Sequence, residues 1–355
     1  MNLDDQNHLR AIDRDDMLGH IDALADQFEH AWQRALTLPL PETHRAPRQI
    51  ALAGMGGSAI GGDLTAALVA ATSPAAFHVV RGYTLPAYVR GADTLVIASS
   101  HSGNTEETLA AADQALERGV RMLAISTGGA LAEHAARHGY PLWQFDYASQ
   151  PRAALGWSFG LLIGLAHRLG LAPNLEADLR EGVGLLRAQR AVYGAASPLR
   201  DNPAKRGAGQ LIDRIPLIFG AGIFEPVARR WKGQFNENAK AWAEFEPLPE
   251  ANHNLVAGLG FPMDHDIRLA AQFITSRQHD HPRVRLRHEL TYTLCLQNGI
   301  VADIFQPEGT SALAQMLHAI QYGDYLSYYT AIAYEVDPTG IPQITELKTM
   351  LAERG

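Results

Sequence analysis

Short apolar runs alternate with longer amphipathic stretches along the first half of the chain. The apolar runs predict buried strands at residues 50–53, 77–80, 94–98, 122–125 and 141–145. The stretches between most of them have helical spacing and predict helices at 59–71, 106–118 and 129–138. Strand and helix that alternate in this way favour an α/β fold, with a parallel sheet flanked by helices.

The second half repeats this plan after a helical region at 153–190. It begins with a strand at 215–222 that ends in glycines before a helix at 224–238. Further strands are predicted at 241–245, 255–259, 281–286 and 300–305, and helices at 311–335 and 343–354. We therefore expect two similar domains, at 46–190 and 200–355, the second with C-terminal helices. An N-terminal helix and loop precede them at 1–45, where Met17, Ile21, Leu24, Phe28 and Trp32 share one helix face.

Composition narrows the functional classes. The chain has 355 residues, is 46% hydrophobic and carries a net charge of −8 without a dense basic run, which argues against nucleic acid as a partner. No apolar run reaches membrane length, and the acidic, polar start is not a secretory signal. Cys295 is the only cysteine and lies in an apolar stretch, so we expect a core residue in a protein of the reducing cytoplasm. The histidines are scattered and no metal motif occurs, so no metal site is predicted.

Two segments rich in glycine and hydroxyl residues follow predicted strands of the first domain. They are GMGGSAIGGD (54–63) and SSHSGNTEET (99–108), and each leads into a predicted helix. A strand, a glycine turn and a helix start present backbone N–H groups and the positive end of the helix dipole to an anion. We call these two segments the cradle and predict that they bind a phosphate near a topological switch point of the sheet.

The cradle differs from the common nucleotide motifs. It lacks G-x-x-x-x-G-K-[ST], which excludes a nucleotide P-loop. Gly54, Gly56 and Ala59 imitate a dinucleotide fingerprint, but the acidic residue expected about 20 positions later is absent. Arg81 stands there and is suited to a 2′-phosphate, so nucleotide binding remains an alternative at this point.

Candidates for acid–base chemistry lie outside the cradle. The segment NENAKAWAEFEPLPEANHN (236–254) contains Glu237 and His253, while Arg152 lies in PRAALG and Lys348 in ITELKTML. A carboxylate, an imidazole and a cation beside a bound phosphate suit aldose–ketose isomerisation, which moves a proton between adjacent carbons through an enediolate. Taken singly, the Glu-rich segment is more typical of a solvated loop and His253 of a structural histidine. Arg152 alone is more typical of a surface arginine at a helix start, and Lys348 of a helix lysine whose stem covers apolar neighbours. Their combination with a phosphate site favours an isomerase of a sugar phosphate.

These motifs, in this order, resemble the bifunctional phosphoglucose/phosphomannose isomerases of the sugar isomerase (SIS) superfamily. The resemblance rests on GMGGSAIGGD, SHSGNTEET, PRAAL and NENAK followed by NHN, and it spans residues 50–350. It implies two SIS domains and interconversion of glucose 6-phosphate or mannose 6-phosphate with fructose 6-phosphate through a cis-enediol. It further implies a homodimer with the active site near the domain and subunit interfaces, and no metal or organic cofactor.

The resemblance also implies roles for individual residues. Glu237 is the base, Arg152 stabilises the enediolate, His253 opens the ring from the neighbouring subunit, and Lys348 assists ring opening. Thr339 lies in a region associated with acceptance of both epimers. The groups implied to surround the substrate are the phosphate ligands Ser58, Ser100, Ser102 and Thr105, and the backbone of Gly56 and Gly57 near the sugar.

The chain departs from the family pattern in two places. His101 stands in SHSGNTEET where the family usually has tyrosine, and Leu255 follows NHN where an acidic residue is common. Two other functions remain open: a non-catalytic SIS sensor of sugar phosphates, and an isomerase of another phosphosugar such as an aminosugar phosphate. A sensor would be expected to carry a basic DNA-binding module, which the acidic N-terminal helix does not resemble.

Overall fold

A computed structural model describes residues 2–262, 264 and 268–354 and contains two parallel sheets. The first sheet has the strand order β2-β1-β3-β4-β5 and the second β7-β6-β8-β9. The strands are β1 (Gln49–Ala53), β2 (Ala76–Val80), β3 (Thr94–Ser100), β4 (Arg121–Ser126), β5 (Leu142–Gln144), β6 (Ile215–Ala221), β7 (Glu244–Leu248), β8 (Leu269–Ile274) and β9 (Val301–Phe305). The predicted α/β class and the parallel sheets are confirmed.

Helices surround both sheets. They are α1 (Gln6–Ile12), α2 (Met17–Asp22), α3 (Leu24–Thr37), α4 (Gly56–Val69), α5 (Glu106–Glu117), α6 (Gly129–His138), α7 (Leu155–Arg168), α8 (Leu175–Tyr193), α9 (Pro203–Leu211), α10 (Glu225–Glu237), α11 (Pro282–Gln297), α12 (Ala312–Ala333) and α13 (Pro342–Ala352). No helix in the described residues is long and apolar enough to cross a membrane.

The central strand of the first sheet shows why this pattern folds as it does. Every residue of β3, TLVIASS, is buried, because helices cover both faces of a parallel sheet and leave no solvated side. β1 pairs with β2 on one side and β3 on the other, so the chain reverses its direction of travel across the sheet between β1 and β3. This is the topological switch point, where α/β folds bind ligands at the carboxyl ends of the strands.

One apolar core joins the two domains. α12 is buried along nearly its whole length and packs against α8, α9 and α10. In the same core, α7 lies very close to α3: a Cβ on Gly160 would lie 2.7 Å from the Ala31 Cβ, and one on Gly164 would lie 2.3 Å from the Ala35 Cβ. Glycine at these two positions allows the helix backbones to approach, which ties the N-terminal segment to the first domain.

The predicted N-terminal helix is divided into α1, α2 and α3 in the structure. Its five spaced apolar residues are nevertheless all buried, so the predicted apolar face is confirmed. Asp16 adopts a left-handed φ of 55° and its side chain caps α2 at the Gly19 N–H, which starts a new helix there.

Three strands predicted for the second domain differ in the structure. Residues 281–286 belong to α11 instead, because Pro282 occupies its first turn and the His281 side chain accepts a hydrogen bond from the Arg283 N–H. Residues 255–258 form a 3-10 turn, where the Asn254 side chain accepts from the Leu255 N–H at 2.6 Å. The strand predicted at 241–245 begins at Glu244 and continues to Leu248; as an edge strand it tolerates Pro247.

The strand that the sequence pattern missed is β8, between β6 and β9. Its residues LAAQFI carry no strong β-branched or alternating signal, so only pairing with both neighbours identifies it. With β8 in place, the second sheet has the same order as the first four strands of the first sheet. Its switch point lies between β6 and β8.

Candidate active site

The two segments of the cradle meet at the switch point of the first sheet. Residues 54–58 lead from β1 into α4, and residues 101–105 lead from β3 into α5. The two are joined directly, since the His101 N–H donates to the Ser58 Oγ at 3.1 Å. Ser58 lies in the first turn of α4 and Thr105 immediately precedes α5, so both hydroxyls stand at the positive end of a helix.

The remaining hydroxyls of the cradle form a compact set. Ser100 Oγ and Thr105 Oγ1 lie 2.8 Å apart, and Ser100 Oγ also accepts from the Gly103 N–H at 3.0 Å. Ser102 Oγ accepts from the Asn104 N–H at 3.2 Å and is exposed. The loop is tight because Gly103 has a φ of +71° and lies so close to the Gly128 carbonyl that a Cβ would collide with it. The structure thus brings together the four hydroxyls predicted to bind phosphate.

Gly56 and Gly57 have different surroundings. Gly56 has a left-handed φ of +47° and open space on its Cβ side. A Cβ on Gly57 would lie 2.9 Å from the Pro151 carbonyl carbon and 3.1 Å from the Arg152 nitrogen. The start of α4 therefore touches the 3-10 turn at Pro151–Ala154, which carries Arg152.

Arg152 is almost completely buried and binds two parts of the second domain. Its Nε donates to Asn238 Oδ1 at 2.7 Å, and its Nη1 donates to Glu237 Oε2 at 3.2 Å. Its Nη2 donates to the carbonyls of Pro338 at 2.6 Å and Thr339 at 2.8 Å. Burial lowers the pKa of the guanidinium, and the carboxylate of Glu237 acts in the opposite direction. Four of the five N–H donors have these acceptors, and the second N–H of Nη1 remains for another oxygen.

Glu237 is the last residue of α10, and 28% of its side chain is exposed. The carboxylate is therefore paired with Arg152 and still open on one side. Since the Arg152 turn touches the start of α4, Glu237 is connected to the cradle through a single residue. A base and a cation beside an anion site are the groups that proton transfer next to a carbonyl requires.

Behind this pair lies a buried polar network that the sequence analysis did not predict. Arg230 Nη2 donates to both oxygens of Asp324, at 2.8 and 2.7 Å, and to the Arg152 carbonyl at 3.2 Å. Gln234 donates to Asp324 at 2.8 Å, and burial raises the pKa of this carboxyl. The signal was present, because Asp324 is an isolated carboxylate within the long apolar run that forms α12.

Two predicted site residues lie apart from Arg152 and Glu237. His253 is exposed at the end of the 3-10 turn Glu250–His253, and Lys348 is exposed on α13. Neither has a hydrogen bond or ion pair with any residue that the structure describes. Within this one chain, the structure therefore brings together the residues predicted as base, cation and phosphate ligands, but not the two residues predicted to act in ring opening.

Other residues singled out in the sequence have structural roles. Arg81 forms a two-point pair with Asp63, with nitrogen–oxygen distances of 3.1 and 2.5 Å, so it is already engaged. Cys295 is buried, and burial raises the pKa of its thiol to about 11, which confirms it as a core residue. The His101 ring packs edge-on against Phe145 at 5.7 Å between centroids, and burial lowers its pKa.

Comparison with known families covers both domains. A model of the SIS domain matches residues 45–140, and a model of the bacterial phospho-glucose isomerase C-terminal SIS domain matches residues 200–351. The chain is 39% identical, over 334 residues, to the bifunctional phosphoglucose/phosphomannose isomerase of Caldicellulosiruptor bescii, covering 93% of this chain and 97% of that protein. It is 32% identical to the protein of the same name from Aquifex aeolicus, covering 85% and 90%.

Solved structures support the fold. A glucose-6-phosphate isomerase-like protein from Thermus thermophilus superposes with a TM-score of 0.65 at 21% identity, covering 98% of both chains. The C-terminal domain of glucosamine-fructose-6-phosphate aminotransferase from Francisella tularensis gives a TM-score of 0.69 at 16% identity, covering 92% of this chain and 98% of that one. Both domains of the chain thus have the SIS fold.

Proposed function

Since the chain belongs to the family of bifunctional phosphoglucose/phosphomannose isomerases, we propose that it interconverts glucose 6-phosphate and mannose 6-phosphate with fructose 6-phosphate. The observation that carries this proposal is the Arg152–Glu237 pair, at 3.2 Å, on a turn that touches the cradle. A phosphate site without a base would suit a sensor. A phosphate site joined to an open carboxylate and a buried cation suits an isomerase.

The cradle binds the phosphate, which is the end of the substrate that does not react. Hydroxyl donors and two helix N-termini compensate the phosphate charge. The ligands that we assign are Ser58, Ser100, Ser102 and Thr105, with the Gly56 and Gly57 backbone beside the sugar. This anchoring places C1 and C2 of the open-chain sugar near the Arg152 turn.

Glu237 performs the proton transfer between C1 and C2. Its carboxylate removes the C2 proton of the aldose, and the electron pair forms the C1–C2 double bond of a cis-enediol while the carbonyl oxygen at C1 takes up a proton. Glu237 then returns its proton to C1, and loss of the proton on the C2 oxygen gives the ketose carbonyl. Arg152 stabilises the negative charge on the enediolate oxygen with its remaining N–H. Thr339, whose buried hydroxyl has no partner among the described residues, is our candidate for tolerating both epimers.

Ring opening requires a second copy of the chain in this proposal. α11 buries His288, Thr291 and Cys295 but leaves Leu286, Leu290 and Leu294 exposed along one face. No residue of α13 is buried, although it carries Ile344, Leu347 and Met350. Apolar helix faces of this kind are typical of protein–protein interfaces.

The position of His253 agrees with a homodimer that covers α11. The neighbouring Asn252 donates to Thr291 Oγ1 at 2.7 Å and accepts from Arg287 Nη1 at 3.1 Å, so the turn that carries His253 is fastened to α11. His253 is exposed on this turn, so it is accessible to a partner that docks on α11. We therefore assign His253 to the site of the neighbouring subunit, Lys348 to ring opening, and the dimer to the cytoplasm.

A coupled assay that offers glucose 6-phosphate and mannose 6-phosphate separately tests the function. We expect turnover of both, with solvent deuterium entering C2 of the aldose formed from fructose 6-phosphate. Calorimetric binding of fructose 6-phosphate without turnover or exchange would replace the isomerase with a sensor.

Mixing two inactive variants tests the trans assignment. Glu237→Gln and His253→Gln dimers are each expected to be inactive. If His253 acts in the partner's site, heterodimers formed after subunit exchange contain one intact site and regain activity. If His253 acts within its own chain, each heterodimer site carries one of the two defects, and the mixture stays inactive.

The two arrangements give opposite results because they distribute the two defects differently between the sites of the heterodimer. In trans, one heterodimer site combines both defects and the other combines the intact Glu237 with the intact His253, so activity returns. In cis, one site carries the Glu237 defect and the other the His253 defect, so neither site is intact and the mixture stays inactive. Activity after subunit exchange thus supports the trans assignment, and its absence contradicts it.

A further inference from the structure

Lys240 lies three residues after Glu237 and has no part in the mechanism described above. Its half-buried Nζ donates to three backbone carbonyls: that of Glu237 at 2.9 Å, that of Asn238 at 3.2 Å and that of Asp337. The first two end α10, whereas the third begins residues 337–340, which connect α12 to α13. We propose that Lys240 is a positioning residue that fastens the 337–340 loop to the end of α10. The proposal rests on the proposed isomerase function.

The contacts to α10 fix the backbone beside Glu237. The last carbonyls of a helix have no N–H partner within the helix, and they lie at the negative end of its dipole. The Lys240 ammonium supplies donors to two of these carbonyls. A left-handed φ of 53° at Lys240 turns the chain so that its side chain reaches back over the helix end.

The contact to Asp337 completes a closed ring of interactions. Arg152 binds the Pro338 and Thr339 carbonyls, at 2.6 and 2.8 Å, so two cations bind three consecutive carbonyls of the 337–340 loop. Arg152 also binds the carboxylate of Glu237, whose carbonyl Lys240 binds. Without Lys240 the loop keeps only its contacts to Arg152, and the end of α10 keeps its side-chain contacts to Arg152 but loses its backbone link to the loop. The cradle lies in the other domain and makes no contact with Lys240.

The charges around Lys240 predict a dependence on pH. Burial and, to a smaller extent, Arg152 lower the pKa of Lys240, Asp337 and Glu237 act in the opposite direction, and the net result is a pKa of about 8. These groups face Lys240 from the Pro151–Ala154 turn, the 337–340 loop and α10 respectively. A neutral amine has two N–H donors for three carbonyls, so one contact is lost as the pH rises through the pKa. The activity of the wild-type protein should therefore fall above about pH 8.

Steady-state kinetics of three full-length variants tests this role. For Lys240→Met we expect kcat to fall about tenfold or more, while the KM for fructose 6-phosphate stays within twofold, because the cradle is unchanged. For Lys240→Arg, whose guanidinium stays charged, we expect most of kcat to return and the alkaline midpoint to rise by at least one pH unit. The matched control is Lys232→Met on α10. Lys232 has no hydrogen bond or ion pair to any residue that the structure describes, and wild-type kinetics are expected.

Different results overturn the two levels of the proposal. A wild-type protein that turns over neither sugar phosphate refutes the isomerase function itself. An active wild type with an unaffected Lys240→Met variant refutes only the positioning role, as does a variant whose KM rises in proportion to the fall in kcat. If Lys240→Met does not fold, the comparison of wild type with Lys240→Arg decides: an unchanged alkaline midpoint refutes the role and a raised one supports it.

Discussion

The four strands of the second sheet have the same order as the first four of the first sheet, but the switch point is open in the first domain and closed in the second. In the first domain, loops after β1 and β3 present serine and threonine hydroxyls, with Ser102 exposed. In the second domain, the corresponding position after β8 is occupied by the chain's own carboxylate. Asp280 Oδ2 accepts from the Ser276 N–H and from the Thr275 hydroxyl, both at 2.8 Å.

The loop after β6 is closed as well. The side chain of Phe224 is fully buried there, and a Cβ on Gly220 would lie 2.3 Å from the Phe224 carbonyl oxygen. α10 starts at this closed switch point and, with its 13 residues, extends about 20 Å. Its far end brings Glu237 to Arg152 of the first domain. Topology thus provides a place for an anion in both domains, whereas local residues decide whether that place is open.

The largest expected effect separates binding from proton transfer. Glu237→Gln removes the base on the second domain and leaves the cradle intact. We expect kcat to fall by about 10³-fold or more, while calorimetry gives nearly unchanged affinity for fructose 6-phosphate. Glu225→Gln, in the first turn of the same helix, is the control and should behave as the wild type. Normal turnover by Glu237→Gln would remove Glu237 from its role.

The next effect concerns the open switch point. Ser102→Ala combined with Thr105→Ala removes two hydroxyls from the cradle, and hydrogen bonds to a charged group contribute about 1.5–3 kcal/mol each. Together this amounts to about 3–6 kcal/mol, so we expect KM to rise by about 10²-fold or more for each sugar phosphate, with a smaller change in kcat. Thr275→Ala makes the matching change at the closed switch point and should leave KM unaltered. An unchanged KM in the double variant would mean that the cradle is misassigned.

A smaller effect is expected at the closed switch point. Asp280→Ala leaves the buried Ser276 N–H and Thr275 hydroxyl without their acceptor, which should lower the free energy of unfolding by about 2 kcal/mol. Asp280→Asn keeps one acceptor oxygen and should cost less. Denaturant unfolding measures both. A change in KM for either variant would contradict the view that only the first switch point binds substrate.

The last effect is a dependence of stability on pH and involves α12, which joins the two domains. Burial lowers the pKa of His318 to about 4; its Nδ1 accepts from the Glu308 N–H at 2.8 Å and its ring also meets Tyr193 Oη at 2.7 Å. Between pH 6.5 and about 4 the unfolded chain binds the proton and the folded chain does not, so the free energy of unfolding falls as the pH falls. The slope is at most about 1.4 kcal/mol per pH unit from this group.

His318→Asn keeps an acceptor for the Glu308 N–H but does not titrate. Unfolding of this variant should therefore depend less on pH between 6.5 and 4 than unfolding of the wild type. Equal slopes would show that another group causes the acid sensitivity.

Elements with strong local signals follow from the sequence alone. The first five strands and the helices after the cradle follow from apolar runs and helical spacing, and glycines mark the turns after β1 and β3. The cradle hydroxyls, Arg152 and Glu237 were identified from motifs and are brought together by the fold. Their individual roles remain predictions.

Elements and contacts that depend on residues distant in the chain are visible only in the tertiary structure. β8 has a weak local signal and is defined by its neighbours, whereas residues 281–286 alternate like a strand but begin α11. In the sequence, Lys240 is one of several charged residues in its segment. The structure shows that it donates to three carbonyls from two segments, the end of α10 and the 337–340 loop. Local patterns record backbone preference and burial, but hydrogen bonds between distant segments depend on geometry that no short pattern contains. The open cradle could therefore be predicted from two short segments of the sequence. The ring of contacts around Glu237 could not, because it joins residues that are far apart in the chain.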